Sequence, residues 1–128
     1  MFSKVYSGGL RGIDGYVVQV EADVSDGLPG FYMVGSLASE VKEAEERVRT
    51  ALRNAGFRLS SKKITVNLSP ANVRKEGTAC DLPVAVAVLA AYGILEPSSL
   101  KETGFLGELG LDGSIKPVRG VLSMVLAM

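Results

Sequence analysis

Residues 63–95 read Lys63-Ile-Thr-Val-Asn-Leu-Ser-Pro-Ala-Asn-Val-Arg-Lys-Glu-Gly-Thr-Ala-Cys-Asp-Leu-Pro-Val-Ala-Val-Ala-Val-Leu-Ala-Ala-Tyr-Gly-Ile-Leu95. The stretch parses as a strand, a long polar loop and a helix. Ile64, Val66 and Leu68 alternate with Thr65 and Asn67, the period of a half-buried strand. Asp81 is placed to cap the helix, and Pro83 falls in its first turn, where a missing N–H matters little. No charge interrupts Val84 to Leu89, so this helix has no solvent face and must pack on several sides. The intervening loop, Ser69 to Asp81, is long for a compact domain, and loops of that length are usually functional.

Upstream, Phe2 to Ser7 reads as a short strand ended by a Gly8-Gly9 break and a turn around Gly12 to Gly15. Tyr16, Val18, Val20, Ala22 and Val24 share one face against Gln19, Glu21 and Asp23, the mark of an antiparallel strand with one wet side. Phe31 to Val34 is a third strand after the turn residues Asp26 to Gly30. One helix is predicted from Ala38 to Ala55, with Val41, Ala44, Val48, Ala51, Leu52 and Ala55 inward. Glu45 with Arg49 and Lys42 with Glu46 are spaced to pair, and Gly56 suits its end. Downstream, Gly104 to Lys116 reads as a hairpin turning at Asp112-Gly113, and Pro117 opens a last helix. The glycines at 104, 107, 110 and 113 lack a following Gly-Lys-Ser/Thr, which argues against a phosphate loop.

The 128 residues predict one domain, with the last helical pattern cut off at Met128 as in a fragment of a longer protein. Fourteen basic and fourteen acidic residues cancel, so no global field draws the chain to nucleic acid or to an anionic membrane. One cysteine excludes an internal disulfide and suits a reducing, cytoplasmic setting. Histidine is absent, which removes the Ser-His-Asp device, His-ligated zinc and the usual neutral-pH base. No metal or cofactor site is expected; catalysis would need lysine, a carboxylate or a bare hydroxyl.

Six segments carry a resemblance: Gly27-Leu-Pro-Gly-Phe-Tyr-Met-Val-Gly35, Glu43-Ala-Glu-Glu-Arg-Val-Arg49, Ile64-Thr-Val-Asn-Leu-Ser-Pro-Ala71, Arg74-Lys-Glu-Gly77, Asp81-Leu-Pro83 and Gly107-Glu-Leu-Gly-Leu-Asp-Gly113. In this order they resemble the N-terminal domain of the magnesium-chelatase-related AAA+ ATPases, the ComM/YifB competence proteins. The resemblance implies an α+β fold, a mixed, mostly antiparallel sheet with helices on one face, shared with the Lon protease domain and the second domain of ribosomal protein S-five. It also implies that an ATPase motor, with its ATP and magnesium, lies outside these residues. The implied partners are that motor, neighbouring subunits of a hexameric ring and DNA in the assembled ring, with no membrane.

Lon proteases carry Lys-Asp-Gly-Pro-Ser-Ala-Gly, whose serine is activated by a lysine after a Pro-x-Gly-Gly-Leu pattern. Aligning Lys75-Glu-Gly77 and Pro117-Val-Arg-Gly-Val puts Ala79 at the nucleophile position and Leu122 near that of the lysine. Neither can perform a Ser-Lys reaction. Cys80 is an alternative nucleophile, but reads as a small buried thiol turned about 100° around the helix. Asn72, Arg74, Lys75, Glu76 and Asp81 form a candidate interaction loop, and Arg53, Arg58, Lys62 and Lys63 a candidate basic spot roughly 20 Å from Arg74 and Lys75 at strand rise. The expected function is a non-catalytic module serving ring assembly and DNA engagement in a branch-migration helicase. The alternatives are a residual Ser-Lys or Cys-dependent peptidase and a freestanding RNA-binding domain.

Overall fold

The computed structural model describes residues 1–128. Strands β1 (Phe2–Arg11), β2 (Asp14–Ser25), β3 (Gly30–Val34) and β4 (Lys63–Ser69) form a sheet in the order β1-β2-β4-β3. β2 is antiparallel to both β1 and β4, whereas β3 runs parallel to β4. Helices α1 (Ser39–Lys42) and α2 (Ala44–Asn54) supply the crossover that a parallel pair requires. The alternation read in β2 and β4 is realised: Val18, Val20, Ala22 and Val24 are buried beside Ile64, Val66 and Leu68. On them lies α3 (Asp81–Ala91), buried at every position except the half-buried Leu82. Its lack of a polar face follows from its place between β1, β2 and β4 on one side and α2 and β5 (Glu108–Leu109) on others.

The structure departs from expectation at several places. Gly8 and Gly9 do not break β1, which continues to Arg11; Gly9 faces Tyr16, whose ring would lie 2.5 Å from a Cβ there. The predicted single helix is two, because the Glu40 carbonyl accepts from the Arg47 guanidinium at 2.7 Å instead of from the Ala44 amide. The Glu45–Arg49 pair forms at 3.4 Å, but Lys42 and Glu46 make no ion pair. In the hairpin, β5 pairs with β6 (Ile115–Lys116) across a wider turn, closed by Gly110 N–H on the Ser114 carbonyl at 2.8 Å. Last, α4 (Val121–Ala127) begins after Gly120, at φ +77°, and Pro117 lies outside it.

The helices are not all on one face. Val5 and Ser7 share the buried face with Val20 and Val18, so Gly8, Leu10 and Gly15 belong to the opposite one. There α4 meets the β1–β2 hairpin: a Cβ on Gly8 would come 2.8 Å from Met124 Cβ, and one on Gly15 would come 2.1 Å from the Ser123 carbonyl oxygen. The hairpin tip is glycine-rich because a helix backbone rests on it. Gly15→Ala therefore costs about 1–3 kcal/mol by forcing α4 away, read as a lower urea midpoint and faster proteolysis after Pro117. Gly27→Ala, where the new Cβ meets only Lys63 side-chain carbons from 3.6 Å, leaves the midpoint unchanged.

Candidate functional site

The loop between β4 and α3 is held down by Lys75. Its backbone N–H donates to the Ser36 carbonyl, and its own carbonyl accepts from Ala38 N–H, both at 2.9 Å. Its ammonium is buried, at 2% exposure, and donates to the Gly35 carbonyl at 2.6 Å and to the Pro70 carbonyl. Burial pushes this amine below the usual lysine range. Lys75 was expected at the surface of the interaction loop; instead its aliphatic stem is packed and its charge is spent on two main-chain oxygens. Asn72, Arg74 and Glu76 do stay exposed, with Arg74 and Glu76 paired loosely at 3.9 Å.

Asp81 is the second correction. It does not cap α3: the capping position is Cys80, and no side chain satisfies the first amides. The Asp81 carboxylate, 1% exposed, turns inward and accepts from Arg47 Nε at 2.6 Å, Arg47 Nη2 at 3.0 Å and Leu109 N–H at 3.1 Å. Burial raises its carboxyl pKa against the pull of Arg47 and of the Leu109 amide, and the same contact raises the Arg47 guanidinium. This fork joins α2, α3 and β5 at the mouth of the loop. Arg47 was not singled out in the sequence, because it sits among the other charges of its helix. Its one distinguishing sign is that Arg47 falls a turn from the inward Ala44 and Ala51.

Beside this joint is a cleft of about 270 Å³, bounded by Gly8–Leu10 of β1, by Glu76–Ala79 ahead of α3, and by Glu108, Pro117–Arg119 and Met124. The Gly77 amide is anchored to Glu40 Oε2 at 3.1 Å, a contact that draws the Glu40 carboxyl below its usual range. Ala79 lines the cleft, whereas Leu122 does not and is 72% exposed. Sequence reasoning overlooked the hydroxyl next door: Thr78 Oγ1 donates to Glu108 Oε1 at 2.7 Å. Cys80 is buried as expected, its thiol 3.8 Å from Ser7 Oγ, and burial pushes it up to about 11. A second, smaller recess of about 250 Å³ continues the cleft past Leu10 and Glu76 toward Gly12 and Arg74.

The other basic residues do not form one free patch. Lys62 is bound to Asp26 at 2.7 Å, and Lys63 lies over the Tyr32 ring, 5.7 Å from its centre. Arg53 and Arg58 are exposed and make no ion pair. No group of His, Cys, Asp and Glu is arranged to hold a metal, and no helix is long and apolar enough to cross a membrane.

Two measurements test the joint. Arg47→Met strands a buried carboxylate and lowers stability by about 3–5 kcal/mol, whereas Arg47→Met with Asp81→Leu recovers most of the loss. Urea unfolding of the four proteins of that cycle gives the coupling. The thiol makes a second prediction. Because the folded chain holds the Cys80 proton more tightly than an unfolded thiol with its value of 9.0, the contribution is full below pH 9 and is lost between pH 9 and about 11. Cys80→Ala lacks that decline, so the stability difference between the two proteins changes across this interval and is flat below it.

Comparison with known proteins agrees with the segments quoted above. Residues 20–128 match the family described as subunit ChlI of Mg-chelatase. Competence protein ComM of Haemophilus influenzae is 46% identical over 123 residues, 96% of this chain and 24% of that protein. YifB of Escherichia coli, described as uncharacterized, is 44% identical over 121 residues, 94% of this chain and 24% of that protein. A Lon protease of Mycolicibacterium smegmatis is more distant, 24% identical over 124 residues. The chain thus spans about a quarter of the length of the curated relatives it matches most strongly. This α+β chain belongs to the magnesium-chelatase-related family of ComM and YifB.

Proposed function

We propose that this chain is a non-catalytic, Lon-like module of a cytoplasmic AAA+ ATPase, serving ring assembly and contributing to DNA engagement once the ring has formed. One observation carries the reading: the head of α3 offers no nucleophile held against a base amine. Ala79, which the resemblance aligns with the nucleophile, lines the cleft with no nucleophilic atom; the Thr78 hydroxyl is bonded to a carboxylate, and the Lys75 amine is bonded to carbonyls. A thiol raised to about 11 stays protonated at neutral pH, which disfavours the Cys-dependent alternative.

Charge supports the DNA half of the proposal only in an assembly. Lys62 is neutralised by Asp26, Arg74 is shared with Glu76, and the chain carries no net charge. Few phosphate contacts are left to a single copy, which also disfavours a freestanding RNA-binding domain. A ring would repeat those few contacts and gain by avidity.

The test uses full-length protein with and without residues 1–128. Deletion shifts the protein toward smaller oligomers in sedimentation, and the isolated module binds a fluorescent DNA junction weakly, with a shallow salt dependence, while the ring binds tightly. Unchanged assembly after deletion, or tight and salt-resistant binding by the single module, overturns the reading. So does labelling of Thr78 or Cys80 by a serine- or thiol-directed active-site probe.

A further inference from the structure

The outer edge of β1 has unspent main-chain hydrogen-bonding capacity. The Met1–Val24 pair exchanges both of its bonds, so the odd positions of β1 bond to β2 and the even positions face away from it. Among the even positions, the Tyr6 carbonyl accepts from Phe105 N–H at 2.9 Å, which closes the middle of the edge. Gly8 and Leu10 have no such partner: their N–H and C=O groups are directed into the cleft and meet no donor or acceptor there. Gly8 is buried, so its amide and carbonyl are also poorly served by water. Beside them the Tyr16 hydroxyl is buried without a partner.

The cleft is a groove of strand dimensions. Its first part and the recess beyond share Leu10 and Glu76, so together they follow β1 from Gly8 to the turn at Gly12, about 13 Å at strand rise. The opposite wall is the segment Val73–Ala79, and Val118, Met124 and Leu10 give the floor an apolar character. Of the arginines that border it, Arg74 is paired with Glu76, whereas Arg11 and Arg119 are exposed and bonded to no acid. Glu108 accepts from Thr78 and keeps its negative charge. Three arginines against Glu76 and Glu108 leave the groove one net positive charge, with Arg119 toward one end and Arg11 toward the other.

We propose that this groove binds an extended peptide segment bearing carboxylates, which adds as a short strand to the Gly8–Leu10 edge with Arg11 and Arg119 meeting its acidic side chains. Donors and acceptors at every second residue of a strand match a polypeptide main chain. A nucleic acid has no such alternation, and two free arginines are a small phosphate footprint. The site is distinct from ring assembly: a single copy of the chain suffices, and the peptide is held without being cut.

The probe is a fluorescein-labelled pentapeptide, Glu-Val-Ala-Val-Glu, blocked at both termini, titrated into the 128-residue chain by anisotropy and by amide NMR. Saturable binding is expected, with the largest shifts at the Gly8 and Leu10 amides. N-methylation of alternate peptide amides weakens binding at least about tenfold, since two main-chain bonds are lost. Arg119→Glu and Arg11→Glu each weaken the acidic peptide several-fold and leave its Gln-Val-Ala-Val-Gln counterpart unaffected. The proposal is overturned by absence of binding at millimolar peptide, by equal binding of the N-methylated peptide, or by equal competition from a single-stranded oligonucleotide of the same charge. Cleavage of the bound peptide, followed by mass spectrometry, would instead overturn the non-catalytic reading while leaving the groove assignment standing.

Discussion

The hydrogen-bonded fork between Arg47 and Asp81 governs the functional end of this molecule. A carboxylate with 1% exposure cannot remain charged without donors, and three are supplied, two from the guanidinium and one from the Leu109 amide. The same guanidinium takes the Glu40 carbonyl, so one side chain sets the break between α1 and α2, the angle at which α3 enters the core, and the position of β5. Such a pair is a poor source of net stability but a strict geometric requirement, because only one arrangement satisfies both buried partners.

From that joint the loop before α3 inherits its shape. Lys75 ties the loop to Gly35 and Pro70 through its ammonium and to Ser36 and Ala38 through its backbone, while Glu40 holds the Gly77 amide. Residues 76–79 are thereby presented along the free edge of β1 with little freedom to rearrange. The cleft holds a hydroxyl bonded to a carboxylate, exposed arginines and main-chain groups without partners. The buried Lys75 beside the cleft is a structural tie, its ammonium bonded to main-chain carbonyls.

The far face of the sheet obeys a different constraint. Gly8 and Gly15 let the α4 backbone rest on the hairpin, and this contact buries Met124 while Leu122 and Leu126 remain 72% and 77% exposed. Met124 of α4 also forms part of the cleft floor. The hairpin glycines thus serve shape at the site as well as packing, which is why a glycine pair that looks like a strand break lies inside a strand.

Much of the architecture was legible in the residues alone. Period-2 alternation in Tyr16–Val24 and Ile64–Leu68, and the unbroken apolar run after Pro83, express burial directly in residue type, since each side chain's environment is set by its own element. Family membership was legible for a similar reason, being carried by short segments in a given order. What only the tertiary structure decided concerns groups whose meaning depends on a distant partner. Asp81 reads as a cap until Arg47, 34 positions earlier, is brought to it, and Lys75 reads as a surface charge until the Gly35 and Pro70 carbonyls surround it. A charged residue carries no local mark of whether its counter-group is water or protein. That choice is made by the folding of the chain, because desolvation and pairing are properties of the place a side chain reaches and not of its neighbours in sequence.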